Sequence, residues 1–204
     1  MFEIKTNSDG RLMMVAGKAK TSAVQAVESA ESGGAKSPEA ALVALVKGGD
    51  REAFGRLYDL YAPMVHGILL ARVPFDEVGD LVQDVFLVAF RKLATLRDEA
   101  AFGGWLAMIA RNRAMDFHRQ SRQTEALSEE LPQRVPPRRE AAEVLDVIRS
   151  LPEAYCETLV LRLVEGMTGP EIAERTGLQP DSVRVNLHRG MKLLREKLGI
   201  GKDV

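Results

Sequence analysis

The sequence holds a single cysteine, Cys156, among 204 residues. An intramolecular disulfide and a cysteine-based zinc site are therefore both excluded. The three histidines, His66, His118 and His188, stand far apart, and none belongs to an H-E-x-x-H pair. Aromatic residues make up only 5%. Cores must then be built from Leu, Val, Ala and Met, which suits helices packed ridge into groove. Beta-branched alternation is scarce, and no segment reads convincingly as a strand. No apolar run approaches the roughly 18 residues of a membrane span, and no signal peptide is visible. The expected location is a reducing cytoplasm. No P-loop and no metal-binding carboxylate cluster is present. The chain reads as no enzyme, with no cofactor and no metal.

Charge of one sign is also missing. Lys and Arg total 28 against 29 Asp and Glu, for a formal net charge of -1. This argues against a nonspecific nucleic-acid coat. The distribution says more than the sum. Residues 111–122 carry Arg111, Arg113, Arg119, Arg122 and His118 against one acid, Asp116. Residues 175–197 carry six Lys or Arg against Asp181 and Glu196. Acids gather elsewhere, as at Asp76, Glu77, Asp80 and Asp84. Two basic patches therefore sit on a near-neutral body.

What is abundant is helical periodicity. Residues 1–37, rich in Ala, Ser, Gly and Lys, read as a mobile extension with a weak helix over 19–30. Ser37 and Pro38 open the ordered part as cap and first helical residue. Asp50 caps a second helix that Pro63 is expected to interrupt or kink. Residues 76–96 form the clearest amphipathic helix, with Val78, Leu81, Val82, Val85, Phe86, Ala89, Phe90 and Leu93 at spacings of three and four. Residues 105–123 form another. Residues 124–140, with Pro132, Pro136 and Pro137 among mixed charges, read as a linker. A second helical unit covers 141–198, and 199–204 is a tail. The fold class is all-α: two small helical domains, 38–123 and 141–198, joined by a flexible linker.

The strongest local pattern is T-G-P-E-I-A-E-R-T-G-L-Q-P-D-S-V-R-V-N-L-H-R-G, over 168–190. Thr168 with Glu171 makes a capping box. Ile172 and Ala173 face inward, and Gly177 supplies the left-handed residue of a tight turn. The helix after it splits into an inward face of Val183, Leu187, Gly190 and Leu194 and an outward face of Ser182, Arg184, Val185, His188 and Arg189. This is a helix-turn-helix for duplex DNA. Arg184 suits a base edge, Ser182 a base or a phosphate, and Arg189 and Lys192 suit phosphates. An ordinary hairpin with a solvated basic face is the competing account.

In the other basic helix, Asn112, Asp116 and Arg119 share one face. Asn and Asp can pair with exposed base edges, and Arg can hold phosphate or stack. That chemistry suits unstacked single-stranded DNA, although a surface ion-pair network would look the same.

The motifs G-D-R-E-A-F-G-R-L-Y-D-L-Y-A-P, D-L-V-Q-D-V-F-L-V-A-F-R-K-L and F-G-G-W-L-A-M-I-A-R-N-R-A-M-D-F-H-R, followed by L-P-E-A-Y-C-E-T-L-V-L-R-L-V-E-G-M-T-G-P-E-I-A-E-R-T-G, resemble a bacterial RNA polymerase sigma factor of the extracytoplasmic function type. The resemblance covers about residues 39–198. It implies a sigma-2-like and a sigma-4-like domain, and a promoter-specificity subunit of core RNA polymerase. Asp80, Gln83, Asp84 and Phe86 become contacts to the clamp helices of the largest subunit. Arg111, Asn112, Arg113, Asp116, Arg119 and Arg122 become contacts to the -10 element. Ser182, Arg184, Val185, His188, Arg189 and Lys192 become contacts to the -35 duplex. Trp105 is implied as a fold anchor, and the apolar hairpin before the helix-turn-helix meets the polymerase flap. Many members are held by an anti-sigma partner, and one is admitted here. Gln179-Pro180-Asp181 departs from the usual Ser or Thr cap of the recognition helix. The alternative is a stand-alone helix-turn-helix regulator, which would need no acidic docking face.

Overall fold

The computed structural model describes residues 2–6, 12–16, 37–125 and 139–199. The weak helix expected over 19–30, most of the linker and the final tail lie outside them. Near the N-terminus, strands β1 (Phe2–Thr6) and β2 (Leu12–Ala16) pair antiparallel, with Phe2 opposite Ala16 and Thr6 opposite Leu12. The expectation that the chain has no strand is corrected there. The other described elements are helices, and no described helix is long and apolar enough to cross a membrane.

The first helical domain holds α1 (Pro38–Lys47), α2 (Arg51–Leu70), α3 (Phe75–Lys92) and α4 (Phe102–Glu125), with two short 3-10 turns between the last two. Ser37 caps α1 by accepting from the Ala40 N–H, and Asp50 caps α2 by accepting from Glu52 and Ala53. Pro63 does not interrupt α2. Its missing N–H deprives the carbonyl four residues back, but Asp59 is exposed, so water can serve it. Tyr61, Met64, Val65, Ile68 and Leu69 are all buried, and that packing holds the helix through the proline.

The second domain holds α5 (Arg139–Arg149), α6 (Glu153–Leu163), α7 (Gly169–Thr176) and α8 (Pro180–Lys197). Six consecutive residues of α6, Cys156 to Leu161, are buried. A helix buried all round must sit between partners. Here α8 covers one side and α2 of the first domain another. The two domains thus share one continuous core.

The seam between them is close and polar at its edges. A side chain on Gly67 would strike Leu161 and Glu165, and Gly104 lies against Gly177. The C-terminal end of α2 leaves carbonyls without helical donors. Arg149 of α5 donates to Leu70 O at 2.7 Å and Val73 O at 2.7 Å, and the Cys156 thiol donates to Ala71 O at 3.4 Å. A cation at a helix C-terminus is also favoured by the helix dipole. Further along, the His66 ring meets Glu165 at 2.7 Å.

Candidate nucleic-acid interface

The helix-turn-helix is α7 and α8. Thr168 and Glu171 form the capping box: the Thr168 N–H donates to the Glu171 carboxylate at 2.7 Å, and the Glu171 N–H donates to Thr168 Oγ1 at 3.4 Å. The Thr168 hydrogen bonds hold the Glu171 carboxyl below the usual glutamate range. Gly177 has φ of 72° and donates to Ala173 O, closing the turn. Pro180 is the first residue of α8, and Gln179 makes no side-chain cap. Inward, Val183, Gly190 and Leu194 are buried. A Cβ on Gly190 would stand 3.1 Å from Leu159 and Tyr155, so this glycine lets α8 lie close on α6. Outward, Ser182, Arg184, Val185, His188, Arg189 and Lys192 are all exposed. Arg184 meets Asp181 at 3.4 Å, with both side chains more than three-quarters in water, a pair too weak to hold it.

On α4 the six expected residues divide. Asn112, Arg119 and Arg122 are exposed. Asp116 accepts from Arg119 at 2.9 Å. Arg113 turns toward α3, where Asp84 lies 3.7 Å away. Arg111 is taken up by Glu157 of α6, with Nε at 3.0 Å and Nη2 at 2.6 Å from its two carboxylate oxygens. Met108 and Met115 are exposed on this helix. They were not among the expected residues, because alone a methionine carries no chemical signal. Trp105 is half-buried against Phe102, as an anchor should be.

On α3, Asp80, Gln83 and Asp84 are exposed. Phe86 is not a surface residue. It is 3% exposed, its ring packed on Tyr58 at 4.5 Å and Phe54 at 6.4 Å. Its assignment as a partner contact is withdrawn, because a ring in the core cannot reach another protein. The apolar residues that do reach out are Leu87 and Phe90, at 53% and 50% exposed.

Sequence reasoning also passed over Arg72 and Glu157. Arg72 donates to Glu157 at 2.6 Å and to Glu153 at 2.8 Å. Burial alone would push the Glu157 carboxyl up, but the Arg111 and Arg72 guanidiniums together hold it below the usual range. An acid flanked by Cys156, Thr158 and Leu159 in the middle of an apolar helix is itself a signal that a cation must be near.

A helix-turn-helix with an outward basic face, joined to a second basic helix on an all-helical body, defines a DNA-binding protein of two helical domains. Sigma-70 region 2 matches residues 57–124, and Sigma-70, region 4 matches residues 141–194. The ECF RNA polymerase sigma-E factor of Haemophilus influenzae is 30% identical over 186 residues, covering 78% of this chain and 94% of that protein. RNA polymerase sigma factor CarQ of Myxococcus xanthus is 31% identical over 160 residues, covering 74% and 92%. Among solved structures, CnrH in complex with the cytosolic domain of CnrY aligns with a TM-score of 0.56 at 25% identity, covering 80% of this chain and 99% of that one. RpoE bound to the anti-sigma factor NepR from Bartonella quintana shares the fold, at TM-score 0.52 and 18% identity over 73% and 98%. The chain belongs to the extracytoplasmic function group of sigma-70 factors. Its function is that of the family, promoter-specific initiation of transcription with core RNA polymerase, and it is not an enzyme.

Proposed function

We propose that α8 reads the -35 element as duplex and that α4 captures the unpaired -10 strand. The outer side of α3 then docks on the clamp helices of the polymerase through Asp80, Gln83 and Asp84, with Leu87 and Phe90 in place of Phe86. One observation carries this reading. All six outward residues of α8 are exposed while Val183, Gly190 and Leu194 are buried beneath them, so one helix presents its chemistry to solvent from a fixed platform. Arg184 is the base reader, and Arg189 and Lys192 take phosphates. On α4, Asn112 pairs with a base that has left the stack, which offsets part of the few kcal/mol that unstacking costs. Core polymerase and promoter DNA are the partners, and the apolar hairpin of α5 and α6 meets the flap. In the packed arrangement α6 is covered by α2, so flap contact calls for the domains to part. CnrH, similar along most of its length, was solved in complex with the cytosolic domain of CnrY, and we infer that this chain too has a protein partner, an anti-sigma factor.

Arg184→Ala is expected to cost roughly 1–3 kcal/mol of promoter binding, concentrated at one base pair. Binding assays on -35 variants measure this, and equal loss on every sequence would reduce Arg184 to a phosphate contact. Asn112→Ala is expected to leave -35 duplex binding intact and to impair promoter opening. Permanganate footprinting of the -10 region with reconstituted holoenzyme reads the result, and normal opening would remove the strand-capture role.

A further inference from the structure

Two guanidiniums of the first domain converge on one carboxylate of the second. Arg111 grips Glu157 with both Nε and Nη2, and Arg72 adds Nη2 at 2.6 Å from the carboxylate oxygen that Arg111 Nε also reaches. Glu157 is 4% exposed. This is forked, charge-assisted recognition of two oxygens on one centre, the geometry that arginine offers carboxylates and phosphates alike.

We propose that Arg72 and Arg111 form a phosphate-binding site for the unpaired promoter strand, and that the Glu157 carboxylate occupies this site while the domains are packed together. The proposal rests on the reading that α4 faces the -10 strand. Three observations and one general argument support it. Both arginines belong to the first domain, so both stay with it when the second domain moves away. Arg72 is anchored from its own side, with Nη1 on Ile68 O at 3.0 Å and its own carbonyl held by His118 of α4 at 2.7 Å. Arg111 stands one residue before the exposed Asn112 on α4, about 100° round the helix, so a strand that meets Asn112 and turns along that side brings its backbone to Arg111. Lastly, a buried ion pair gives little stability that well-packed apolar residues could not give. A three-part charged cluster at this seam therefore fits a site shared between two anions better than a mere fastening.

The consequence is competition. One anion fills the fork at a time, so closure of the domains and capture of the strand exclude each other at this point. Glu153, which also pairs with Arg72, leaves with Glu157 because both ride on α6.

The test uses the full chain with core polymerase on forked promoter DNA chosen from a library, with single phosphates of the unpaired strand replaced by neutral methylphosphonates. For the wild-type chain, one position is expected to lose roughly tenfold or more in affinity, as suits a charge-assisted hydrogen bond. In the Arg72→Gln/Arg111→Gln/Glu157→Gln variant, which strands no buried charge, the same replacement is expected to cost nothing. If every replacement costs the variant as much as the wild type, the phosphate site is overturned. Asn112→Ala run in parallel separates the two readings. A loss of opening in that variant without the arginine coupling sinks this site alone, whereas normal opening sinks the placement of α4 on the strand. The free chain gives a second measurement. Glu157→Gln is expected to bind a single-stranded -10 oligonucleotide several-fold more tightly than wild type at low salt, and unchanged affinity would overturn the competition.

Discussion

Glu157→Ala is expected to open the molecule at neutral pH while leaving each domain folded. Removing the carboxylate leaves Arg111 without its partner and Arg72 with only the exposed Glu153. Breaking one side of a buried ion pair costs about 3–5 kcal/mol. The low end applies, because the Arg111 side chain keeps 28% of its surface in water. That cost falls on the seam, since both arginines belong to one domain and the acid to the other. Small-angle scattering should register a larger radius, and chemical denaturation should split into two transitions. A single transition at the wild-type midpoint would mean that the ion cluster contributes nothing to closure. Acid should mimic the substitution. The Glu157 carboxyl is held below its ordinary range in the packed state, so its contribution is complete above the unfolded glutamate value of roughly 4.3. It fades as pH falls through the lower folded value. The domains should therefore stay packed through mildly acidic buffer and part only below the ordinary glutamate range.

The second large effect is expected from Gly103→Ala. A Cβ there would collide with the Arg175 carbonyl oxygen and stand 3.1 Å from the Tyr61 ring. The first obstacle is backbone near the end of α7, which cannot swing aside as a flexible side chain does. The domains must shift, and overpacking of this kind costs roughly 1–3 kcal/mol or more. Gly55→Ala makes the control: it lies in α2 with nothing within 4 Å of the added atom, and should stabilise the helix by roughly 0.5–1 kcal/mol. Thermal melts of the two variants should move in opposite directions. A Gly103→Ala protein that melts and scatters like wild type would show the seam to be loose.

The helix-turn-helix was legible almost atom by atom, because its parts are local. Thr168, Glu171 and Gly177 act within four residues of their partners, so spacing alone specifies the cap and the turn. The face of α8 was legible for the same reason. The hairpin β1–β2 was missed because F-E-I-K-T and L-M-M-V-A are short. The N-S-D-G between them carries a turn signal that a search for long beta-branched runs passes over. Pro63 was read by a local rule that tertiary packing overrode. Phe86 and Phe90 share the apolar stripe of α3, and periodicity cannot say which ring turns inward. What the sequence could not show is the present engagement of Arg111, whose partner Glu157 lies 46 residues away in the other domain. Nothing in periodicity or motif spacing pairs residues across a linker, so the division of α4 between free and engaged cations is a tertiary fact.

Cys156 rests on this same seam, its thiol on Ala71 O. Burial pushes its pKa up to about 11, so at neutral pH the packed protein holds far less thiolate than a solvent-exposed thiol would. Since the chain has no other sulfhydryl, alkylation by a small maleimide becomes a clock for interdomain breathing. At reagent concentrations where reclosing outruns capture, its rate is set by the fraction of time the domains spend apart. The chain thus carries a native reporter of its own opening equilibrium, one that needs no dye pair, no partner and no DNA.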